Sequence, residues 1–378
     1  MANFKVKNGL SVGTRYLQTG GTETAGVTYV SIDQGQYTGN SFDFSSQDSQ
    51  TYDIYIKPDG TKAYTIGAIG DAVYQYSLST AWDISTASYD SVSFSVSSQG
   101  SQPDGLIFKP DGTAMYVSDI TNDAIYQYTL STAWDISTAS YASKSLSVSS
   151  QATNPRSFYI KTDGTKLYVN DGGNDTIYQY SLSTAWDVST GSYDSVSLSI
   201  TSTDSIPTGL SFNSDGTRMY HAGYENDAVY LYTLSTAWDI STATYTGSSL
   251  SVITQVSNPY DLYIDTDVRH IYVLGSNVVY EYSTQALTQT LDLSTGTYFS
   301  FTPSGATTVS FTNAPASGKA IGFSVEINGD GSAITWPSSV KWSGGVAPVA
   351  SASKELYALV TTDGGTTYYG RKAAEELA

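Results

Sequence analysis

Carboxylates are the most numerous side chains in this sequence that could perform acid–base chemistry. The chain has 35 acidic residues among 378, and a glycoside hydrolase needs only two carboxylates about 5–10 Å apart. Most of the aspartates, however, recur at equivalent positions of a repeat, where Asp-Gly pairs are typical turn formers. This placement weakens the case for any one catalytic pair, and the sequence predicts a protein that is not an enzyme.

Other catalytic and metal-binding groups are scarce. His221 and His270 lie at non-equivalent positions with no Ser or Cys nucleophile motif beside them, and we expect His221 to be solvent-exposed or to support a loop. The chain has no cysteine, which excludes disulfides, thiolate catalysis and Cys-based zinc sites. No D-x-D-x-D-G loop is present, so calcium at the repeated aspartates is a minority alternative. The sequence predicts no cofactor and no metal.

Four copies of a 52-residue repeat, with a shortened fifth, position these side chains. Trp82 and Trp134 lie in copies of the segment STAWDIST (134 − 82 = 52), and the Asp-Gly-Thr turns at Asp59 and Asp111 have the same spacing. Each copy contains four segments with period-two alternation and no helical pattern. A period near 50 with four strands per period is typical of a β-propeller in which each repeat forms one blade.

Residues repeated in every full copy are expected to be structural. The tryptophans are predicted to pack against the blade edge, with sugar stacking as the alternative, and the aspartates that precede the third strand are predicted to close a tight turn. These residues are Trp82, Trp134, Trp186, Trp238, Asp71, Asp123, Asp175 and Asp227.

The ends of the array indicate how the ring closes. The fifth copy keeps Asp267, has Val268 in place of glycine, and lacks the tryptophan segment after Tyr282, while residues 41–50 match residues 93–102. An N-terminal strand is therefore expected to complete the last blade and cover its edge. The predicted fold is all-β, with a five-bladed propeller at 41–284 closed by an N-terminal strand.

Two segments flank the array. Residues 1–40 are rich in Gly and Thr and are expected to order against a partner as an anchor. Residues 285–378 are predicted to form a small antiparallel β-sandwich, with one hairpin turning at 329–331 and another at 363–365.

The net charge of the chain limits the classes of molecule that it can bind. The net charge is −18 and no Lys/Arg cluster is present, so nucleic-acid binding through phosphate neutralisation is excluded. The sequence has no long apolar run and no signal-peptide pattern, which predicts no membrane insertion and synthesis as a cytosolic product.

The motifs carry a resemblance to virus proteins. The repeat YQYSLSTAWDISTASYDSVSFSVSSQ resembles propeller repeats of marine bacteriophage and environmental bacterial sequences, and TDGTKLYV is similar to surface-layer-like propeller repeats. The opening FKVKNGLSVGT resembles N-termini of cyanophage-like structural proteins, and the segment from LDLSTGTYFSF onward resembles modules of phage tail fibres. The fifth copy departs from the repeat pattern by losing its glycine and tryptophan.

The resemblance implies a virion structural protein, a tail fibre or appendage assembled in the bacterial host cytoplasm. Its implied partners are other virion proteins, bound through the N-terminal segment, and a host-surface glycan or protein. Fibre proteins of this kind are frequently trimeric, so a homotrimer is expected. Two alternatives stay open: a decoration protein with structural contacts only, and a polysaccharide-degrading tailspike.

The loops between the second and third strands vary at their tips while their framework repeats. Variable loops on a rigid frame commonly carry recognition, although drift of an unconstrained surface explains the variation equally well. An aromatic plane and nearby amides suit a sugar, and the net charge favours a neutral glycan or a divalent-dependent contact. The predicted contributors are Tyr224, Glu225, Asn226, Asn122 and Asp171.

Overall fold

The computed structural model describes residues 32–265, 268–284, 287–303, 307–329 and 334–377. The predicted anchor at 1–40 lies mostly outside these residues, as do Asp267 and most of the turn at 329–331. Within the described part, the regular structure is β-strand with short 3₁₀ turns, and no helix is long and apolar enough to cross a membrane.

The strands of the first two blades and the N-terminal strand are β1 (Gln36–Asp43), β2 (Thr51–Ile56), β3 (Lys62–Gly67), β4 (Ala72–Leu78), β5 (Ala87–Ser95), β6 (Pro103–Phe108), β7 (Ala114–Asp119), β8 (Ala124–Leu130) and β9 (Ala139–Ser147). Those of the next three blades are β10 (Pro155–Ile160), β11 (Lys166–Asp171), β12 (Thr176–Leu182), β13 (Gly191–Ser199), β14 (Pro207–Phe212), β15 (Arg218–Gly223), β16 (Ala228–Leu234), β17 (Ala243–Ser251), β18 (Asp261–Ile264), β19 (His270–Leu274) and β20 (Val278–Ser283). The C-terminal strands are β21 (Leu287–Asp292), β22 (Tyr298–Phe301), β23 (Thr307–Thr312), β24 (Ile321–Asn328), β25 (Ile334–Thr335), β26 (Val340–Trp342), β27 (Lys354–Thr361) and β28 (Tyr368–Leu377). Turns of 3₁₀ helix span Ile32–Gln34, Ile84–Thr86, Ile136–Thr138, Val188–Thr190 and Ile240–Thr242.

Five four-stranded antiparallel sheets form the propeller, as predicted. Four of them are β2–β5, β6–β9, β10–β13 and β14–β17 in chain order, and the fifth has the order β1-β20-β19-β18. The innermost strands contact one another in sequence, and β18 also contacts β2. The ring is therefore continuous around its axis.

The outer strand of the fifth sheet comes from the N-terminal side of the array. β1 pairs antiparallel with β20, and it begins at Gln36, before the boundary expected at residue 41. The 52-residue register in fact extends further back: Ile32 corresponds to Ile84 and is equally buried, and Tyr37 corresponds to Tyr89. Residues 32–40 thus belong to the fifth blade.

The repeated tryptophans join neighbouring blades. Trp134 of the second blade packs on Tyr55, with ring centroids 6.3 Å apart, and its carbonyl accepts a hydrogen bond of 2.6 Å from Tyr64 of the first blade. The equivalent tyrosine–carbonyl bonds are Tyr116–Trp186 at 2.8 Å, Tyr168–Trp238 at 2.6 Å and Tyr272–Trp82 at 2.5 Å. The tryptophans therefore pack at four of the five seams between blades.

The Asp-Gly-Thr turns are shaped to receive these rings. Gly112 has φ +73°, and a Cβ built there would lie 2.4 Å from the Trp134 ring. Glycine is required both by the left-handed backbone and by the indole that covers it. The fifth copy has no tryptophan, so Val268 (φ 57°) can replace the glycine there without meeting a ring.

The C-terminal module corrects the antiparallel prediction. β21, β23 and β25 form a parallel sheet, while β22, β24, β27, β28 and β26 form a mixed sheet in that order. Phe323, Val325, Tyr357 and Val309 from the two sheets share one core. Successive strands from β21 to β26 alternate between the sheets, which makes same-sheet neighbours parallel.

The first predicted hairpin is therefore wrong, because β24 and β25 lie in different sheets. Period-two alternation appears in both arrangements, so it does not distinguish a hairpin from a crossing between sheets. The second predicted turn, at 363–365, does connect an antiparallel pair, β27 and β28.

Candidate functional site

The inner strands open onto a depression at one end of the propeller axis. Its volume is about 390 Å³. We call this depression the axial mouth; its lining residues are Tyr52, Gln102, Asp104, Ile120, Thr153, Asn154, Arg156, Tyr224 and Tyr260.

Register shifts between the first and second strands of the blades position several of the residues that line the mouth. In the first four blades the ladder between the first and second strands shifts register at Thr51/Asp53, Pro103/Leu106, Pro155/Ser157 and Pro207/Leu210. Tyr52, Asp104 and Arg156 lie in these shifts. A bulge frees a residue from the ladder and re-aims its side chain, so the start of each inner strand can contribute to the mouth.

Five repeat-equivalent positions carry four different types of side chain here. Positions 52 residues apart hold Tyr52, Asp104, Arg156, Thr208 and Tyr260. Four of these side chains line the mouth, whereas Thr208 is buried and donates to the carbonyl of Pro259 at 2.8 Å. The frame around them repeats closely, so the ring is symmetric in backbone and asymmetric in chemistry.

One side of the mouth is aromatic. Tyr260 lies between Tyr52 and Tyr224, with ring centroids 5.3 and 5.7 Å away and near-perpendicular planes in both pairs. All three tyrosines are half-buried. They present apolar ring surface and hydroxyl groups to the same cavity.

The other side is polar and carries a buried acid. The Asp104 side chain is 3 % exposed, and its Oδ2 atom is buried without a hydrogen-bond partner. Burial raises the pKa of Asp104 well above its usual range, and the charges of Asp53 and Asp119 act in the same direction against the opposing effect of Arg156. Burial therefore favours the protonated form of Asp104, which can donate a hydrogen bond.

Arg156 is held by a neighbouring glycine. A Cβ at Gly172 would lie 2.6 Å from Arg156 Nε and 2.7 Å from its Cδ. The positions equivalent to Gly172 in the adjacent blades are Ile120 and Tyr224, which line the mouth themselves. The small residue in the third blade thus makes room for the guanidinium.

Two further carboxyls lie below the mouth at the seam between the first and fifth blades. Asp53 Oδ2 accepts from the backbone N–H of Leu106 at 2.9 Å, and Asp261 Oδ2 accepts from that of Ile54 at 3.2 Å. The two carboxyls also hydrogen-bond to each other. Burial raises the pKa of Asp53 to about 7 and that of Asp261 well above its usual range. Through its bonds to Leu106 and Ile54 the pair links three consecutive blades.

Of the residues predicted from the loops, Tyr224 lines the mouth. The structure places Asp171 differently from expectation: it is fully buried and accepts from Asn154 N and Asn174 Nδ2, both at 2.8 Å. Its carboxylate holds the loop, so we leave it out of the site.

Asn122 and Asn226 have matching loop-supporting bonds. Their side-chain amides donate to the carbonyls of Gln99 at 2.9 Å and Thr203 at 2.8 Å. Their backbone N–H groups donate to the carboxylates of Asp119 and Asp204 at 2.9 Å. Neither lines the mouth.

Glu225 is exposed and also lies outside the mouth lining. Any contribution of Glu225, Asn122 or Asn226 to binding stays a prediction.

In each of the first four blades one carboxylate accepts the hydrogen bonds that hold the loop between the second and third strands, and it comes from either of two positions. Asp48 and Asp204 supply it from the connection between blades, opposite Gly67 and Gly223, whereas Asp119 supplies it from the second strand, opposite Gly100. A Cβ on any of these glycines would overlap the carboxylate. The exchange preserves one structural acid per loop in four blades.

The aspartates before the third strands occupy turn positions. Asp71, Asp123, Asp175 and Asp227 have φ between 43° and 51°, and the carbonyl of Asp71 accepts from Val96 N at 2.8 Å. In the described residues no group of three or more His, Asp or Glu side chains is placed to hold a metal ion.

Both histidines are structural in their contacts. His221 is fully buried, which excludes the solvent-exposed alternative, and its Nε2 lies 3.0 Å from Thr203 Oγ1 in the neighbouring loop, in agreement with the loop-supporting alternative. Burial lowers the pKa of His221 to about 4. His270 stacks on Trp82 with centroids 5.4 Å apart, at the seam that closes the ring.

Sequence reasoning missed most of the mouth, although a signal was present. The residue that follows the repeated proline is Asp104, Arg156, Thr208 or Tyr260, while the residues around it change little. Comparison of the repeats at this position, which holds Tyr52 in the first copy, would have identified four mouth residues: Tyr52, Asp104, Arg156 and Tyr260.

Comparison with known proteins supports the fold. Residues 23–237 match the family model described as lactonase, seven-bladed β-propeller. No curated protein matches the sequence.

Among solved structures, a Bacteroides uniformis protein whose description names 6-phosphogluconolactonase has 14% identity and a TM-score of 0.41, with 61% of this chain and 65% of that chain covered. A Bacteroides fragilis protein described in the same terms has 15% identity, a TM-score of 0.38 and 56% coverage of each chain. A Lactobacillus plantarum protein has 16% identity and a TM-score of 0.40, with 59% and 63% covered. The chain thus spans less than two thirds of these structures.

Proposed function

From the premise that the chain belongs to the lactonase family of seven-bladed β-propellers, within which it forms five blades, we propose that it is a recognition module that binds a saccharide at the axial mouth. One observation carries this proposal. Symmetry-equivalent positions of a nearly uniform ring differ in chemistry where their side chains converge on one cavity.

The chemistry of the mouth suits a hydroxylated ligand. Tyr52, Tyr224 and Tyr260 offer ring faces and edges on one side, while Gln102 and Asn154 offer amide donors and acceptors on the other. Saccharides present apolar C–H patches beside hydroxyls, and pockets that recognise them combine apolar surface with a few convergent polar groups. A cavity of about 390 Å³ is large enough for one or two sugar rings.

The biological setting that we propose is a virion. The repeats and the C-terminal segment resemble phage appendage proteins, and a propeller on an appendage would present its mouth to a host-surface glycan. Residues 1–40 would attach it to other virion proteins, and a trimer would convert weak single-site binding into avidity. Immunogold labelling of virions tests the location, and a monomer in sedimentation would contradict the trimer.

Binding is tested with a panel of bacterial surface saccharides. We expect Tyr260→Ala to reduce the affinity for the bound glycan about tenfold, since ring stacking contributes roughly 0.5–1.5 kcal/mol. Tyr245→Ala is the matched control, because Tyr245 is partly exposed on the outer strand β17, away from the mouth. Equal losses in both variants, or no bound glycan, would contradict the proposal.

The alternative function is hydrolysis of a lactone, which the family match favours. Asp104 and Arg156 are the mouth residues that could assist it, with the carboxyl exchanging a proton with water and the guanidinium stabilising the carbonyl oxygen as it becomes negative. Ring opening adds water across the acyl C–O bond and gives a hydroxy acid.

This alternative is tested with δ-lactones of sugars, including 6-phosphogluconolactone. Proton release above the spontaneous rate, abolished by Asp104→Asn, would establish an enzyme. A tailspike activity would instead release new reducing ends from polysaccharide. Neither release is expected if the mouth only binds.

A further inference from the structure

The lysines of the propeller are all paired. Each of its six lysines forms an ion pair with an aspartate at an N–O distance of 2.7–2.9 Å. Arg156 differs, because it has no carboxylate within 4.0 Å and no side-chain hydrogen bond among the described residues, and its Nε is buried without a partner. An unpaired guanidinium is unexpected in a chain of net charge −18.

Burial makes an unpaired guanidinium costly in free energy. Arg156 is half-buried, so part of its hydration is lost without a compensating ion pair. Natural proteins usually satisfy such groups, and an exception in a cavity points to a ligand. A guanidinium binds carboxylates in a planar, bidentate arrangement.

The nearby acid completes the site rather than opposing it. Asp104 lines the same cavity, is almost fully buried, and has one oxygen without a partner. Because burial raises its pKa, the Asp104 carboxyl takes up a proton more readily than an exposed aspartate does, and its protonated form does not repel an anion and can donate a hydrogen bond to one. Arg156 is the only basic residue among the residues that line the mouth.

We propose that the axial mouth binds an acidic saccharide whose carboxylate pairs with the guanidinium of Arg156 while the carboxyl of Asp104 hydrogen-bonds the same sugar. The inference rests on the proposed saccharide-binding function and names its ligand class. The sugar ring lies toward Tyr260, on the opposite side of the cavity from Arg156. This assignment replaces the expectation of a neutral glycan.

That expectation came from the net charge, which acts at longer range. Exposed charges are screened over about 8 Å at physiological salt, whereas the Arg156 pair would form in contact and partly out of water. The overall charge would slow the approach of an acidic chain without preventing its binding.

The test compares trigalacturonate with its fully methyl-esterified form, which has the same ring sequence without charge. By titration calorimetry at low salt, we expect the acid to bind at least tenfold more tightly, with the preference falling as salt rises. Arg156→Gln should abolish the preference and Arg156→Lys should keep part of it, because lysine retains the charge but not the fork. Arg218→Gln, a change to another propeller arginine on the second strand of its blade, outside the mouth lining, should preserve it.

The opposing results are distinct. Equal binding of acid and ester, a preference that survives Arg156→Gln, or tighter binding of galactose 6-phosphate than of trigalacturonate would overturn the acidic-sugar assignment. If neutral glycans of the panel bind in a Tyr260-dependent way and no acidic one does, this inference fails and the proposed function stands. If no saccharide in the panel binds, both fail.

Discussion

The tryptophan seams and the axial mouth use the same repeat in opposite ways. At the seams, four copies keep Trp, Gly and Tyr, because each indole covers a glycine and each tryptophan backbone carbonyl accepts a hydrogen bond from a tyrosine hydroxyl of the preceding blade. At the mouth, equivalent positions hold Tyr52, Asp104 and Arg156 on the same backbone. Residues that are identical in the copies make packing contacts that each blade repeats. Residues that differ among the copies do not take part in those contacts.

The fifth blade supports this comparison from within the chain. It lacks the tryptophan, and it also lacks the glycine, with Val268 at a positive φ. Its seam with the fourth blade contains Ile32 and Leu250 in a shared apolar cluster. Because the tryptophan is absent from the fifth blade, the turn position that it would cover need not be glycine.

The largest expected effect comes from removing the strand that completes the fifth blade. Deletion of residues 1–46 removes β1 and exposes the edge of β20, so we expect loss of cooperative melting, or aggregation. Deletion of residues 1–31 is the control, since it leaves β1 in place. An unchanged calorimetric transition after the longer deletion would show that the ring does not depend on β1.

The next effect is the loss of a seam tryptophan. Trp134→Ala removes the ring that packs on Tyr55 and Phe108, and we expect the free energy of unfolding to fall by about 2–4 kcal/mol. Trp134→Phe should lose less, and chemical denaturation measures both. If Trp134→Ala abolished saccharide binding with no loss of stability, the binding face would be the tryptophan face.

The buried carboxyls predict an unusual pH dependence of stability. Burial raises the pKa of Asp53 to about 7 in the folded protein, whereas an unfolded aspartate titrates near 3.9. The folded state therefore binds more protons between about pH 4 and 7, and stability falls as the pH rises through this window. Asp261 and Asp104 act in the same direction.

Burial lowers the pKa of His221 to about 4, which acts in the opposite direction below about pH 6.5. We therefore expect the melting temperature to fall between pH 6.5 and pH 8, and Asp53→Asn should reduce this fall. The surface turns do not oppose this trend in that window. Although burial acts to raise it, hydrogen bonds from Lys57 and Thr61 lower the pKa of Asp59 to about 2, so Asp59 titrates at lower pH. A melting temperature that rises steadily from pH 5 to pH 8 would contradict the assignment of the protonated pair.

The smallest expected effect on stability is at the mouth. Tyr224→Ala removes a half-buried ring that packs on Tyr260, and we expect a loss below about 1 kcal/mol in the free energy of unfolding. Host-cell attachment and saccharide affinity should fall by roughly 2- to 10-fold. A large loss of stability without a change in binding would place Tyr224 with the seam residues.

Much of the fold was accessible from the repeat alone. The 52-residue period, the Asp-Gly-Thr turns and the absence of helical patterning predicted an all-β propeller of five blades, because short-range alternation and turn chemistry repeat with the blade. The C-terminal module was harder, since alternation in β24 is the same whether its neighbour follows in the chain or crosses from another sheet. The start of the fifth blade was placed late because Val30 stands where the other copies have tryptophan.

The sequence by itself determined which residues must be equivalent, because a repeat that folds into identical blades places equal positions at equal radii. Only the tertiary structure decided which of the unequal positions face one another. Asp104, Arg156 and Tyr260 are far apart along the chain, and closure of five blades around one axis brings them to one cavity. Spacing along a chain sets local geometry, whereas convergence depends on the number of blades and on bulges at the inner strands, which no single repeat specifies.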